Sequence, residues 1–340
     1  MQTINLKTLA SALGLSVSTV SKALQDSHEI SPETKQRVWQ LARELDYVPN
    51  PHASSLRRKR SKIIAVVIPE VADSFFTLAM KGIEVVAQQK GYHTLIYLTY
   101  ESLTKEQTIL HDFQSGRVDG LIISLSGQTT HIDHVTALER KGIPVVLFDR
   151  IFEGTTLPLI TTNDLESGYL ATQHLIRQQC RRIAFLSVSD SLSITRQRQQ
   201  GYLNALTDSH LPSEPDLMLT LPAHAADQEA IMTQLLTGPK APDGIVASVE
   251  KTAILTYQLC EKLHLSIPEQ LKVISFSNLE TAPLLNPSLS TITQPAFDMG
   301  EAAARTLFGL IERKSLRTML PLQCIPSVLI PRRSTQLLAG

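Results

Sequence analysis

From Lys62 onward, short runs that are apolar at nearly every position alternate with longer runs that carry a helical apolar face. IIAVVIP at 63–69 is followed by a helix-like run near 75–90 and then by HTLIYLTY at 93–100. A helix near 104–115, DGLIISL at 119–125, a helix near 131–141 and IPVVLFD at 143–149 continue the pattern. Strands apolar throughout are buried on both faces, as in a parallel sheet covered by helices. The rhythm restarts with LPLITTN at 157–163. Helices near 164–178, 196–207, 225–236 and 250–263 then alternate with strands at 182–188, near 217–221, 243–248 and 272–277. The spacing predicts two doubly wound α/β lobes in tandem. The tail from Ser290 holds STITQP, a helix over 297–313 and strand-like residues at 321–330, long enough to return to the first lobe and then the second.

The first 60 residues have another texture. In LKTLASALGLSVSTVSKALQ, residues 6–25, Ala10 is small where two helices must cross, Gly14 can take a positive φ in a turn, and Val20 is apolar where a second helix packs on the first. Val17, Ser18, Thr19, Ser21 and Lys22 then face outward, as a helix-turn-helix needs to enter a DNA major groove. Ser31 and Pro32 read as the N-cap and first residue of a third helix over 32–45, whose Val38, Leu41, Ala42 and Leu45 share one face. Tyr47 to Pro51 stop that helix, and 52–58 is too short to be a stable helix alone. Residues 1–60 hold nine Lys or Arg against five acids, whereas the whole chain has 32 of each. A basic head on an acidic body points to nucleic acid, and the Arg57–Arg60 run suits phosphate contact.

Other classes fit less well. MQTINLKTLA has no apolar signal region and no run of 18 apolar residues occurs, so a cytoplasmic protein without a membrane partner is expected. Cys180, Cys260 and Cys324 lie far apart without metal-ligand spacing and read as reduced core residues. The chain lacks GxxxxGK[ST], GxGxxG after a strand, HExxH and GxSxG. Ser, His and Asp are plentiful, yet nothing places a triad, so no enzyme, metal or cofactor is expected.

LKTLASALGLSVSTVSKAL together with ISPETKQRVWQLARELDYVPN resembles the lactose/galactose repressor family of bacterial transcription factors. IPVVLFDR at 143–150, the Arg198–Tyr202 stretch and TITQPAFDMGEAAARTL at 291–307 extend the resemblance over nearly the whole length. It implies an all-α headpiece at 1–48, a hinge helix and linker at 49–60, and an effector-binding and dimerisation core at 61–340. The core resembles periplasmic binding proteins, with an N-lobe at about 61–160 and 292–320 and a C-lobe at about 161–291 and 321–340. A homodimer on a pseudo-palindromic double-stranded operator is implied, with a small molecule held between the lobes.

By the same resemblance, Val17, Ser18 and Lys22 take the main base-contacting positions, with Ser16, Thr19 and Ser21 beside them, and Lys22 suits either a guanine edge or a phosphate. Asn50, Ala53 and Leu56 match the hinge helix, Leu56 as a minor-groove wedge, and Arg57 follows as a phosphate contact. Effector candidates are Ser74, Phe75 and Phe76 after the first strand, Asp149 and Arg150 after the fourth, and Asn163, Arg198, Glu250 and Ser277. Two of these depart from the family: Ser277 stands where many members carry Asp, and Glu250 where Asp is common. One usual hydroxyl acceptor is thereby lost, so the ligand stays open between a hexose, a modified or acidic sugar and a nucleobase-like molecule. The expected function is a sequence-specific regulator, a repressor controlled by a sugar or sugar derivative. The alternatives are a solute-binding protein without DNA function and a purine-type regulator that needs a corepressor.

Overall fold

The structure, a computed structural model, describes residues 5–47, 60–150, 152, 154–312 and 322–336. The chain divides into Met1–Ser61 and Lys62–Gly340.

The first unit holds three helices: α1 (Leu6–Leu13), α2 (Val17–Leu24) and α3 (Pro32–Glu44). Each begins at a side-chain cap. Asn5 accepts from Lys7 and Thr8 N–H, Ser16 from Thr19 N–H and Ser31 from Thr34 N–H. Such caps satisfy N–H groups that the first helical turn leaves without partners. Gly14 ends α1 with φ at 65°, as the turn requires. Leu9, Ala10, Val20, Ala23, Val38 and Ala42 form the buried core of this unit, with Leu41 and Leu45 packed against it.

The second unit contains two six-stranded sheets. Its chain order begins β1 (Ile63–Ile68), α4 (Ser74–Gln89), β2 (His93–Leu98), α5 (Leu103–Phe113), β3 (Gly120–Ile123), α6 (Asp133–Arg140), β4 (Val145–Phe148) and β5 (Leu159–Thr161). It continues with α7 (Asp164–Arg177), β6 (Ile183–Ser187), α8 (Ser193–Asp208), β7 (Met218–Thr220), α9 (Ala225–Thr237), β8 (Gly244–Ala247), α10 (Glu250–Leu263) and β9 (Lys272–Phe276). Last come β10 (Ser290–Thr293), α11 (Ala296–Glu312), β11 (Leu322–Cys324) and β12 (Val328–Ile330). The first sheet runs β11-β5-β4-β3-β1-β2, with every neighbouring pair parallel. The second runs β12-β10-β9-β8-β6-β7 and is parallel except for the antiparallel β10–β12 pair. Apolar clusters fill both faces of each sheet.

Three expectations change. LPLITTN does not open the second lobe: β5 pairs with β4 and β11 in the first sheet. The tail does not divide at 320/321, because β11 joins the first sheet and β12 the second. β10, which straddles the expected boundary at 291/292, lies wholly in the second sheet. These strands have only three or four residues, too few for a pattern that favours one sheet over the other; the free sheet edge within reach assigns them. The chain therefore passes between lobes near 162–163, 294–295 and 325–327, while α11 packs on the first sheet through Met299, Ala303 and Leu307. Cys180 and Cys260 are buried, but Cys324 is exposed because β11 is an edge strand. β2 is the opposite edge, and its Leu95 and Ile96 are 40% and 49% exposed.

Candidate functional site

In the first unit, Val17 and Ser18 are exposed at the start of α2, with Ser16 exposed just before it, and Thr19, Ser21 and Lys22 half-buried beside them. Ser16 is tied up as the cap, its Oγ also 2.8 Å from Thr19 Oγ1. The Lys22 ammonium donates to Glu29, and that hydrogen bond holds the Glu29 carboxyl below its usual range. Glu29 escapes sequence reading because it lies in the loop, seven residues from Lys22. The expected contacts Asn50, Ala53, Leu56 and Arg57 lie outside the described residues.

In the second unit a cavity of about 460 Å³ is lined from both lobes. Phe75, Phe76, Asp149, Arg150, Arg198, Glu250 and Ser277 line it, as expected of candidates at the ends of strands. Phe75 and Phe76 meet edge to face at 5.3 Å, and Phe75 also stacks on Phe148 at 6.4 Å, so both rings pack the core while lining the cavity. Ser74 is absent from the lining, but its hydroxyl donates to the Glu250 carboxylate. Asn163 also is absent. Its Oδ1 accepts from Ser327 N–H at 2.8 Å and from Ser167 Oγ at 3.1 Å, joining the start of α7 to the crossover before β12.

Each arginine is held as a fixed fork. Arg150 donates from Nη1 and Nη2 to the two Glu101 oxygens at 2.8 Å, and from Nη1 to the Leu125 carbonyl at 2.7 Å. Burial pushes the Glu101 carboxyl up, but Arg150 outweighs it and leaves it below its usual range. Arg198 donates from Nε to Asp164 at 2.7 Å and from Nη1 to the Ser248 carbonyl at 2.6 Å. Its guanidinium lies 4.1 Å from the centre of the Phe276 ring. Arg150 Nε and Arg198 Nη2 are buried without a hydrogen-bond partner, leaving donor capacity over.

Asp149 sits at φ 68° and is buried; burial raises its carboxyl to about 7 against the pull of Arg150. Asp73 caps α4 by accepting from Phe75 N–H at 2.8 Å, and burial raises its carboxyl too. Asn278 and Gln294 line the cavity, and Asn278 Oδ1 and Gln294 Nε2 are buried without a hydrogen-bond partner. Sequence reading missed Asp73, Glu101, Asp164 and Gln294. Only Asp73 carries a local signal, standing one residue before a helix rich in apolar residues. Aromatic faces, fixed donor forks and carboxylate acceptors suit a ring that bears hydroxyl groups.

Residues 61–325 match the family described as periplasmic binding proteins and sugar binding domain of LacI family, and residues 5–50 match bacterial regulatory proteins, lacI family. The ribose operon repressor of Bacillus subtilis is 30% identical over 311 residues, 92% of this chain and 93% of that protein. The lac repressor dimer bound to operator and the anti-inducer ONPF superposes with a TM-score of 0.85 over 99% of this chain and all of that one; at 22% identity this likeness carries the fold alone. A LacI family regulator from Enterococcus faecium with bound ribose is 25% identical, with a TM-score of 0.71 over 80% of this chain and 98% of that one. Among the described residues no helix is long and apolar enough to cross a membrane.

Proposed function

The chain belongs to the LacI family of bacterial regulatory proteins, and on that premise we propose that it is a cytoplasmic repressor whose operator affinity is set by a sugar in the core cavity. Residues 1–48 are the DNA-reading headpiece, 49–60 the hinge and 61–340 the effector-binding core. Val17, Ser18 and Lys22 read base edges, supported by Ser16, Thr19 and Ser21, while Asn50, Ala53, Leu56 and Arg57 belong to the hinge. The protein acts as a homodimer on an imperfect palindrome, since one helix reads too few base pairs for selectivity. The exposed apolar side chains Leu95 and Ile96 on the β2 edge, with Val85 on α4, suit the dimer surface.

The observation that carries the effector reading is the pair of buried forks, Arg150 and Arg198, each with an N–H that makes no hydrogen bond (Arg150 Nε lies 3.9 Å from Asp149 Oδ2), in a cavity shared with Phe75, Phe76 and Asp149. The effector changes operator affinity only by binding two lobe arrangements with different strength. The ribose-related names among the relatives make D-ribose the first probe. A mobility shift on the promoter beside its own gene, with and without D-ribose and a wider sugar panel, tests the reading. Release by one sugar is expected. Strengthened binding makes the ligand a corepressor, and the same shift with every sugar removes effector control.

A further inference from the structure

Resting on that reading of the cavity, we infer that Glu250 is a specificity-determining residue: its carboxylate is both the hydroxyl acceptor for the effector and a clasp between the lobes, and the effector takes the place of Ser74 upon it. Ser74 opens α4 in the first lobe. Glu250 opens α10 and Ser277 follows β9 in the second. Glu250 Oε2 accepts from the Ser74 hydroxyl across the cleft and from the Ser277 hydroxyl at 2.8 Å within its own lobe. Ser277 Oγ accepts from Leu279 N–H at 3.1 Å, which aims its own hydrogen at the carboxylate. Glu250 Oε1 has no hydrogen-bond partner among the described residues.

Two hydroxyls converging on one carboxylate reproduce what a vicinal diol presents to an acidic residue. The carboxylate absent at position 277 is thus supplied from 250 by a side chain one methylene longer than Asp, and the small Ser277 leaves room for it. The clasp makes ligand and lobe contact compete for Oε2, while the open Oε1 takes the second hydroxyl of the same ring. Charge narrows the ligand further. Five acidic side chains line the cavity against three basic ones, and Arg150 and Arg198 are already matched to Glu101 and Asp164. With Glu101 taken by Arg150, the acids Glu70, Asp73, Asp149 and Glu250 remain against Lys251, and although burial holds Asp73 and Asp149 toward their protonated forms, the lining disfavours an anion and accepts hydroxyl donors. The ligand class is therefore an unphosphorylated polyol ring that carries no acidic group.

The test compares full-length wild type with Ser74→Ala, Glu250→Gln and the double variant E250A/S277D. Ligand-free small-angle scattering reads the clasp, and calorimetry with D-ribose and ribose 5-phosphate reads the acceptor. Ser74→Ala and Glu250→Gln are expected to enlarge the ligand-free radius of gyration. Ser74→Ala should bind D-ribose at least as tightly as wild type. Glu250→Gln should bind it about tenfold or more weakly, the scale of losing a hydrogen bond to a charged group. E250A/S277D should recover most of that loss, and ribose 5-phosphate should bind to none. Unchanged scattering in both single variants overturns the clasp, as does weaker ribose binding by Ser74→Ala. Unchanged affinity in Glu250→Gln, or binding of the phosphate ester, overturns the acceptor role. If D-ribose binds no form, the choice of ribose as effector falls, while the scattering still decides the clasp.

Discussion

Both lobes close their cores with the same device, built from different parts of the chain. In the first lobe α4 crosses α11: a β-carbon on Gly82 would lie 2.2 Å from the Phe297 carbonyl oxygen, and one on Gly300 would lie 2.0 Å from that of Ala79. In the second lobe α7 crosses α8, where a β-carbon on Gly168 would lie 2.2 Å from the Arg198 carbonyl oxygen and one on Gly201 2.0 Å from that of Leu165. The first pair joins distant segments of the chain and the second joins consecutive helices. Packing is thus indifferent to connectivity. The two crossings differ in what they hold. The second clamps the backbone of a cavity residue, Arg198, whereas Phe75 and Phe76 stand nearly two turns away from Gly82.

The largest expected effect breaks this comparison directly. Arg198→Ala leaves the Asp164 carboxylate buried without its partner, both side chains being at most 3% exposed. Removing one member of such a pair costs about 3–5 kcal/mol, measurable by urea unfolding. Arg150→Ala should cost less than half as much, because the Glu101 side chain is 45% exposed and water can take over. Both variants should lose effector response. Equal costs would show that burial does not separate the two forks.

Next come the glycines. Gly168→Ala and Gly300→Ala should each destabilise by about 1–3 kcal/mol, as overpacking does. Only Gly168→Ala should also weaken D-ribose binding by calorimetry, since it moves Arg198. An equal loss of affinity in Gly300→Ala would mean that the first crossing is coupled to the cavity as well.

Asp149 sharpens the comparison through pH. Its folded carboxyl lies near 7, above the ordinary 3.8, so between those values the folded state binds more protons than the unfolded one. Stability should fall as pH rises through that window, by at most about 1.4 kcal/mol per pH unit. Asp149→Asn should flatten the melting temperature over pH 4–7. An unchanged slope removes Asp149 as its source.

The smallest effect concerns the headpiece. Lys22→Ala should relax base preference at one position in each half-site by about 1 kcal/mol in operator variants changed one base pair at a time. A uniform loss, with the slope of log K against log salt shallower by about 0.9, would make Lys22 a phosphate contact. Glu29→Gln should strengthen binding slightly, because Glu29 competes for the same ammonium.

What could be read in the sequence was what local geometry controls. The period of apolar residues reports helix or strand because side chains follow the backbone repeat, and α4, α7 and α10 fall where the pattern puts them. Ser31 and Pro32 mark the start of α3, and Gly14 marks the turn, because caps and positive φ are demands on single residues. Tertiary structure decided what depends on distant neighbours. It gave β5 and β11 to the first sheet and β12 to the second, since a three-residue strand carries too little pattern to choose a sheet and goes to whichever edge is open. It drew Asn163 out of the cavity and into a crossover. Glu101 lies 49 residues from Arg150, and Ser74 lies 176 from Glu250. No local pattern signals such pairs, because a charge or hydroxyl meets its partner only after the sheets have fixed where their loops converge.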